Sequence, residues 1–107
     1  MFKIVNLVKK RNGKIVSFDE EKIKVAIEKA FIASDPALRG NAIPVTAKVL
    51  EDIHTRFKDA VPSVEEIQDI VEKSLIATNH TEIAKLYILY RAKHKELRQS
   101  ETLGKIK

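Results

Sequence analysis

The fold is decided by residues 8–30, VKKRNGKIVSFDEEKIKVAIEKA, in which a strand pattern gives way to a helix pattern. Asn12-Gly13 separates two β-branched runs, and both residues tolerate the positive φ of a two-residue hairpin turn. We therefore predict a β-hairpin over about residues 4–18. From Ile23 onward the apolar residues recur at the spacing of one helix face, so a helix is expected to follow the hairpin directly.

Either Ser17 or Asp19 can cap this first helix. Three more helices are predicted after it. The second is expected at about 45–58. Residues 63–66 and 79–82 each have the spacing of a capping box and should open the third and fourth helices. The fourth is apolar nearly all round, which predicts that it is the most buried element. The expected fold class is α+β, mainly α, with a short N-terminal β-hairpin packed on a four-helix bundle.

Composition favours a single domain. The chain has 107 residues, and its 44% hydrophobic content suits one modest core. We assign residues 1–98 to this domain and expect residues 99–107, which lack periodicity, to be a flexible tail or the start of a linker. No run approaches the roughly 18 apolar residues of a membrane helix, and no signal region is recognisable, so we expect a cytoplasmic protein without membrane contact. Cysteine is absent and no two histidines are spaced i, i+4, so no metal site is expected.

Positive charge is concentrated at the two ends of the chain, whose formal net charge is +5. Residues 1–14 carry five basic and no acidic groups, and residues 91–107 carry six basic and two acidic groups. The segment between them is acidic overall. Ends that meet in space form a focused positive site that suits phosphate. The alternative is a pair of solvated basic ends.

Basic residues also flank the hairpin turn and the start of the first helix. Lys10 and Arg11 precede the turn, and Lys22 lies in the first helical turn, where free backbone N–H groups favour anions. Arginine can bind two phosphate oxygens at once, and lysine acts as a point charge. This pattern predicts an anion site between hairpin and helix. The alternative is a basic turn exposed to solvent.

The segment 8–30 resembles the opening of the ATP-cone family, with its basic turn, Phe18-Asp19, Lys22-Ile23 and a closing Lys-Ala. Residues 64–72 and 83–91 resemble the family as well, so the resemblance covers nearly the whole chain. It implies a regulatory domain of a ribonucleoside-triphosphate or -diphosphate reductase, without enzymatic activity of its own. The implied effector is ATP or dATP with Mg²⁺. The implied partners are the reductase catalytic domain or subunit and further copies of the chain, because the family regulates through oligomerisation.

The resemblance assigns nucleotide contacts to twelve positions. They are Val8, Lys10, Arg11, Val16, Ser17, Phe18, Asp19, Lys22, Ile23, Ser63, Lys93 and His94. Ser63 or Val64 matches a position near the base, and Ser63 is favoured for its hydroxyl. Lys93 or His94 matches a basic residue of the last helix. Val16 departs from the acidic residue and Asp19 from the Asn that the family often has.

Aromatic and acidic residues of the last two helices could also serve a function. Tyr87 and Tyr90 could stack on adenine, but aromatic residues on a buried helix more often belong to the core, and we assign them there. Glu65, Glu66 and Asp69 could be catalytic carboxylates, but acids at the start of a helix stabilise its N-terminus, and that explanation suffices. The alternative function is a small basic nucleic-acid-binding regulator, whose affinity would fall steeply with salt. Nucleic acid is not the expected partner, and no glycine-rich phosphate loop or catalytic grouping indicates an enzyme.

Overall fold

The structure, a computed structural model, describes residues 5–106, and within them the side chains of residues 5–93. Its elements follow in the order β1 (Leu7–Lys9), β2 (Ile15–Ser17), α1 (Glu20–Ser34), a 3-10 helix (Pro36–Asn41), α2 (Ala42–Arg56), α3 (Val64–Ala77) and α4 (Thr81–Ile106). The two strands pair antiparallel. Each helix packs against two others, so that α1, α2, α3 and α4 close a ring. The predicted class, mainly α with an N-terminal hairpin, is confirmed.

The hairpin turn is longer than the predicted two-residue turn. Lys10 N–H donates to the Lys14 carbonyl at 2.8 Å, and Gly13 N–H donates to the Lys10 carbonyl at 2.9 Å. Within this turn only Gly13 has a positive φ, 86°. Asn12 instead accepts the Lys14 N–H with its side-chain oxygen, at 3.0 Å. The turn therefore resembles the longer hairpin loops in which a left-handed glycine follows a tight turn, and it places Arg11 at the tip.

The starts of α1 and α3 follow from local capping signals. Asp19, not Ser17, caps α1, since its carboxylate accepts the Glu21 N–H at 3.0 Å. At α3 both hydrogen bonds of the predicted capping box are present. Glu66 N–H donates to the Ser63 hydroxyl at 3.1 Å, and Ser63 N–H donates to the Glu66 carboxylate at 3.0 Å. Both caps satisfy backbone donors that have no partner inside the helix.

Two other helix boundaries differ from the prediction. The helix α2 begins about three residues early, because Pro44 fits in its first turn, where a helix needs no N–H from proline. Asn79 does not open α4 as a capping-box residue, since its φ of 63° places it just beyond the end of α3. His80 N–H donates to the Leu75 carbonyl at 2.8 Å and Asn79 N–H to the Ile76 carbonyl at 3.1 Å, which is the Schellman pattern.

The last helix is longer and less buried than the sequence suggested. It continues to Ile106, so residues 99–106 are helical although they lack apolar periodicity. That residues 99–107 are a flexible tail or the start of a linker stays a prediction. Tyr87 is only 4% exposed, but Ile88 and Leu89 are 44% and 66% exposed. The expectation that α4 is the most buried element is therefore wrong. Its apolar run includes residues on an outer face, and hydrophobicity alone does not say which face is covered.

The core lies inside the ring of helices. Phe31 of α1, Ile53 of α2 and Leu75 of α3 each have no exposed area, and Ile83 of α4 packs in the same cluster. Val5 joins this cluster from the segment before β1. The hairpin is therefore attached to the bundle at its base, and its turn projects toward the start of α3.

Thr46→Val is expected to stabilise the chain. Thr46 is buried in α2, and its hydroxyl has no hydrogen-bond partner among the described residues. An unpaired buried hydroxyl costs about 1–3 kcal/mol, and valine has nearly the same shape, so the free energy of unfolding should rise by about 1 kcal/mol. Urea denaturation measures this change. Thr55→Val, at an exposed position of the same helix, is the matched control. A gain at Thr46 no larger than that at Thr55 would contradict the prediction.

Candidate functional site

A cleft of about 530 Å³ opens between the hairpin, α1, α3 and α4. Nine of the twelve predicted contact residues line it, all of them from the hairpin and the start of α1: Val8, Lys10, Arg11, Val16, Ser17, Phe18, Asp19, Lys22 and Ile23. The structure thus brings the turn, the returning strand and the first helix onto one surface. That these residues bind a nucleotide stays a prediction.

The other three predicted residues are placed differently. Ser63 does not line the cleft, whereas its neighbour Val64 does. The Ser63 hydroxyl, for which this position was favoured, accepts a hydrogen bond within the cap of α3. Lys93 is exposed on α4 away from the lining. His94 lies outside the residues whose side chains are described.

Main-chain hydrogen bonds fix the hairpin to the start of α3. Lys9 N–H donates to the Pro62 carbonyl at 2.9 Å, and Lys9 forms a parallel bridge with Ser63. At the other end of the hairpin, Phe18 N–H donates to the Asn6 carbonyl at 2.8 Å. Because backbone bonds set these positions, the basic turn is held at a fixed distance from α3, and the cleft has a defined width.

Phe18 is supported from behind by His54 of α2. The two rings are stacked with centroids 5.9 Å apart and an angle of 24° between their planes. The Nδ1 atom of His54 accepts the Val5 N–H at 3.0 Å, so its proton sits on Nε2, which lies 3.3 Å from a Glu20 carboxylate oxygen. The histidine therefore links the segment before β1, α2 and the first turn of α1 beneath one wall of the cleft.

Basic side chains outnumber acidic ones in the lining. Four are basic and two are acidic: Lys10, Arg11, Lys22 and Lys29 against Asp19 and Glu21. The N-terminus of α1 has fewer free backbone N–H groups for an anion than predicted, because the Asp19 carboxylate already accepts one of them. In the ion pairs found within residues 5–93, none of the three lysines takes part. The positive charge available to a ligand therefore comes mainly from lysine side chains.

Arg11 is engaged in contacts with α3. Its Nη1 lies 2.7 Å from Oε1 of Glu65, and its Nη2 donates to Oε1 of Gln68 at 3.3 Å. Although the residue lies at the tip of the hairpin turn, its side chain is only 24% exposed. The second carboxylate oxygen of Glu65, Oε2, accepts from Nη2 of Arg91 at 2.7 Å. Glu65 therefore connects the hairpin turn to α4.

Arg91 contacts three carboxylates of α3. Its Nη1 donates to Asp69 at 2.9 Å and to Glu72 at 2.8 Å, in addition to the Glu65 contact. Burial disfavours its charge, but the hydrogen bonds that Arg91 donates to the three carboxylates outweigh that effect and raise its pKa above its ordinary value. Glu65 and Asp69 thus do more than complement a helix dipole, because they hold α4 against α3.

Aromatic and aliphatic side chains form the apolar part of the lining. Tyr87 and Tyr90 of α4 belong to it, together with Val64, Ile67 and Val71 of α3. The tyrosine ring centroids are 6.2 Å apart. Burial raises the pKa of the Tyr87 hydroxyl well above its ordinary value, so this group is neutral at physiological pH. The assignment of Tyr87 and Tyr90 to the core agrees with the burial of Tyr87, but it did not predict that both residues line the cleft. Helical spacing does not distinguish a core position from a cleft wall.

Neither a membrane-spanning helix nor a metal-binding cluster is found in the part of the chain that the structure describes. None of its helices is both long enough and apolar enough to span a bilayer. In the same residues, no three His, Cys, Asp or Glu side chains converge to hold a metal ion.

Comparison with known proteins identifies the family of the chain. The family model of the ATP cone domain matches residues 6–96. A vitamin B12-dependent ribonucleoside-diphosphate reductase of Thermoplasma acidophilum is 37% identical over 110 residues, which cover 97% of this chain and 14% of the reductase. The ribonucleoside-diphosphate reductase subunit alpha of Chlamydia pneumoniae is 37% identical over 77% of the chain and 8% of its own length. A vitamin B12-dependent reductase of Mycobacterium tuberculosis is 33% identical over 90% and 13%.

The chain belongs to the ATP-cone family, whose members are nucleotide-sensing regulatory domains. It spans only about a tenth of the length of the reductases that it matches.

Proposed function

We propose that this chain binds ATP or dATP in the cleft and thereby regulates a ribonucleotide reductase. One observation carries the proposal. The nine positions that the family resemblance assigns to nucleotide contact in the hairpin and α1 all line a single cleft. The cleft volume, about 530 Å³, falls within the range of roughly 300–1,000 Å³ that is usual for small-molecule sites.

The lining offers complementary surfaces for the two parts of an adenine nucleotide. Lys10, Lys22 and Lys29 supply positive charge for the phosphates. The apolar part around Tyr87 and Tyr90 suits the base, since aromatic side chains stack favourably on flat rings. We expect Mg²⁺ to enter bound to the phosphates, because this ion is usually held in nucleotide sites by phosphate oxygens with few protein ligands.

Regulation through assembly is the second part of the proposal. ATP and dATP differ by one hydroxyl, so a regulatory response needs that small difference in contacts to be coupled to a change of state. Ile88 and Leu89 are exposed on α4. They support a contact with a second copy of the chain, because association is favoured when it covers apolar area that would otherwise face water. The further partner is a reductase catalytic domain or subunit, and the compartment is the cytoplasm.

Titration calorimetry of the 107-residue chain with ATP, dATP and GTP, each with magnesium, tests the proposal. We expect saturable binding of both adenine nucleotides and much weaker binding of GTP. A mass measurement by light scattering after each titration should show a change of assembly with one adenine nucleotide only. The absence of binding by all three nucleotides would reject the proposal. Binding to a DNA duplex that weakens steeply with salt would then favour the nucleic-acid alternative.

A further inference from the structure

We infer that Glu65 is an internal competitor for nucleotide phosphate at Arg11 and lowers the affinity of the cleft for its ligand. The inference rests on the proposed function, because it concerns the same cleft. Arg11 lines the cleft beside Lys10, yet its guanidinium is already bound by α3 through Glu65 and Gln68. A ligand that reaches Arg11 must therefore displace a carboxylate that belongs to the protein.

Carboxylate and phosphate compete for the same atoms of an arginine. Both accept hydrogen bonds from the N–H groups of the guanidinium, and the planar fork fits either of them. The Arg11 Nη1 contact to Glu65, at 2.7 Å, has the length of a strong charge-assisted hydrogen bond. When Arg11 turns toward a phosphate, this contact is lost, and the Gln68 contact at 3.3 Å is the weaker of the two.

The exchange does not leave Glu65 without a counter-charge. Arg11 contacts its Oε1, whereas Arg91 contacts its Oε2 at 2.7 Å. Since the two arginines use different oxygens, Arg11 can leave while Arg91 continues to neutralise the carboxylate. A carboxylate that lost its only partner on ligand binding would impose a much larger penalty. The arrangement therefore makes the displacement reversible at a modest free-energy cost.

Glu65→Gln tests the inference, with affinity for ATP measured by titration calorimetry at constant ionic strength. The variant removes the competing charge but keeps an oxygen that can accept from Arg91. We expect ATP to bind about threefold to tenfold more tightly than to the parent chain, which corresponds to the loss of a partly exposed ion pair.

Three further variants separate competition from other effects. Glu66→Gln removes the same charge one residue along, and its side chain contacts Ser63 and not Arg11. Glu72→Gln removes a different partner of Arg91. Both should change the ATP affinity less than twofold. In an Arg11→Gln background, Glu65→Gln should give no gain, because the group for which it competes is absent.

The outcomes distinguish this inference from the proposed function. Equal gains from Glu65→Gln and Glu66→Gln would indicate a general charge effect and overturn the inference. A gain that persists in the Arg11→Gln background would overturn it as well. If neither the parent chain nor any variant binds ATP, the proposed function fails and the inference fails with it. Circular dichroism of each variant checks that the fold is retained.

Discussion

Lys22→Ala is expected to weaken the binding of ATP by roughly tenfold to a hundredfold. Lys22 lines the cleft in the first turn of α1, and it takes part in none of the ion pairs found within residues 5–93. Its ammonium group is therefore available to phosphate, and a hydrogen bond to a charged group contributes about 1.5–3 kcal/mol. Titration calorimetry measures the loss as an increase in Kd.

Lys24→Ala is the matched control for this effect. Lys24 lies two residues further along α1, is exposed, and does not line the cleft. Both variants remove one positive charge from the same helix, so a general electrostatic effect should lower the affinity in both. A comparable loss in the two variants would show that phosphate does not contact Lys22 directly.

Phe31→Ala is expected to lower the free energy of unfolding by about 3–5 kcal/mol. The ring has no exposed area, lies at the centre of the core, and meets the His80 ring edge-on with centroids 5.1 Å apart. Truncation removes buried apolar area and leaves a cavity that the surrounding helices fill only in part. Because small domains have about 5–15 kcal/mol of stability in total, the variant should unfold at a much lower urea concentration.

Ile43→Ala provides the comparison for this loss. Ile43 is 67% exposed on α2, so the same kind of truncation there should change stability by less than about 0.5 kcal/mol. If Phe31→Ala destabilised the chain no more than Ile43→Ala, the ring could not be part of a close-packed core.

The elements were predictable where the deciding signal is local. The capping box of Ser63 and Glu66 lies within four residues, and both of its hydrogen bonds are present. Asn12-Gly13 correctly marks a hairpin, but tolerance of positive φ at both positions does not fix the length of the loop. Asn79 has two favourable uses, since asparagine suits a helix N-cap and also a left-handed position after a helix. Which of the two uses applies depends on where α3 ends.

The candidate site was predictable to the extent that it is contiguous in sequence. Residues 8–23 supply ten lining positions, nine of them predicted, because one hairpin and one helix start bring them together. The contribution of Tyr87 and Tyr90 depends on how α4 packs against α3, which no periodicity reveals. The Glu65 contacts join residues 26 and 54 positions away, at Arg91 and Arg11. Charge pairs at such separations follow from the tertiary arrangement and leave no local pattern.

The walls of the cleft come from residues as far apart as Val8 and Tyr90, so this surface exists only when the chain is folded. A nucleotide held there binds the native chain and not the unfolded one. At a concentration one hundred times Kd, such a ligand stabilises the native state by about 2.7 kcal/mol. Degradation by proteases often follows the population of open molecules, so it should slow as the nucleotide supply rises. The effector that the domain senses is therefore expected to prolong the lifetime of the sensor.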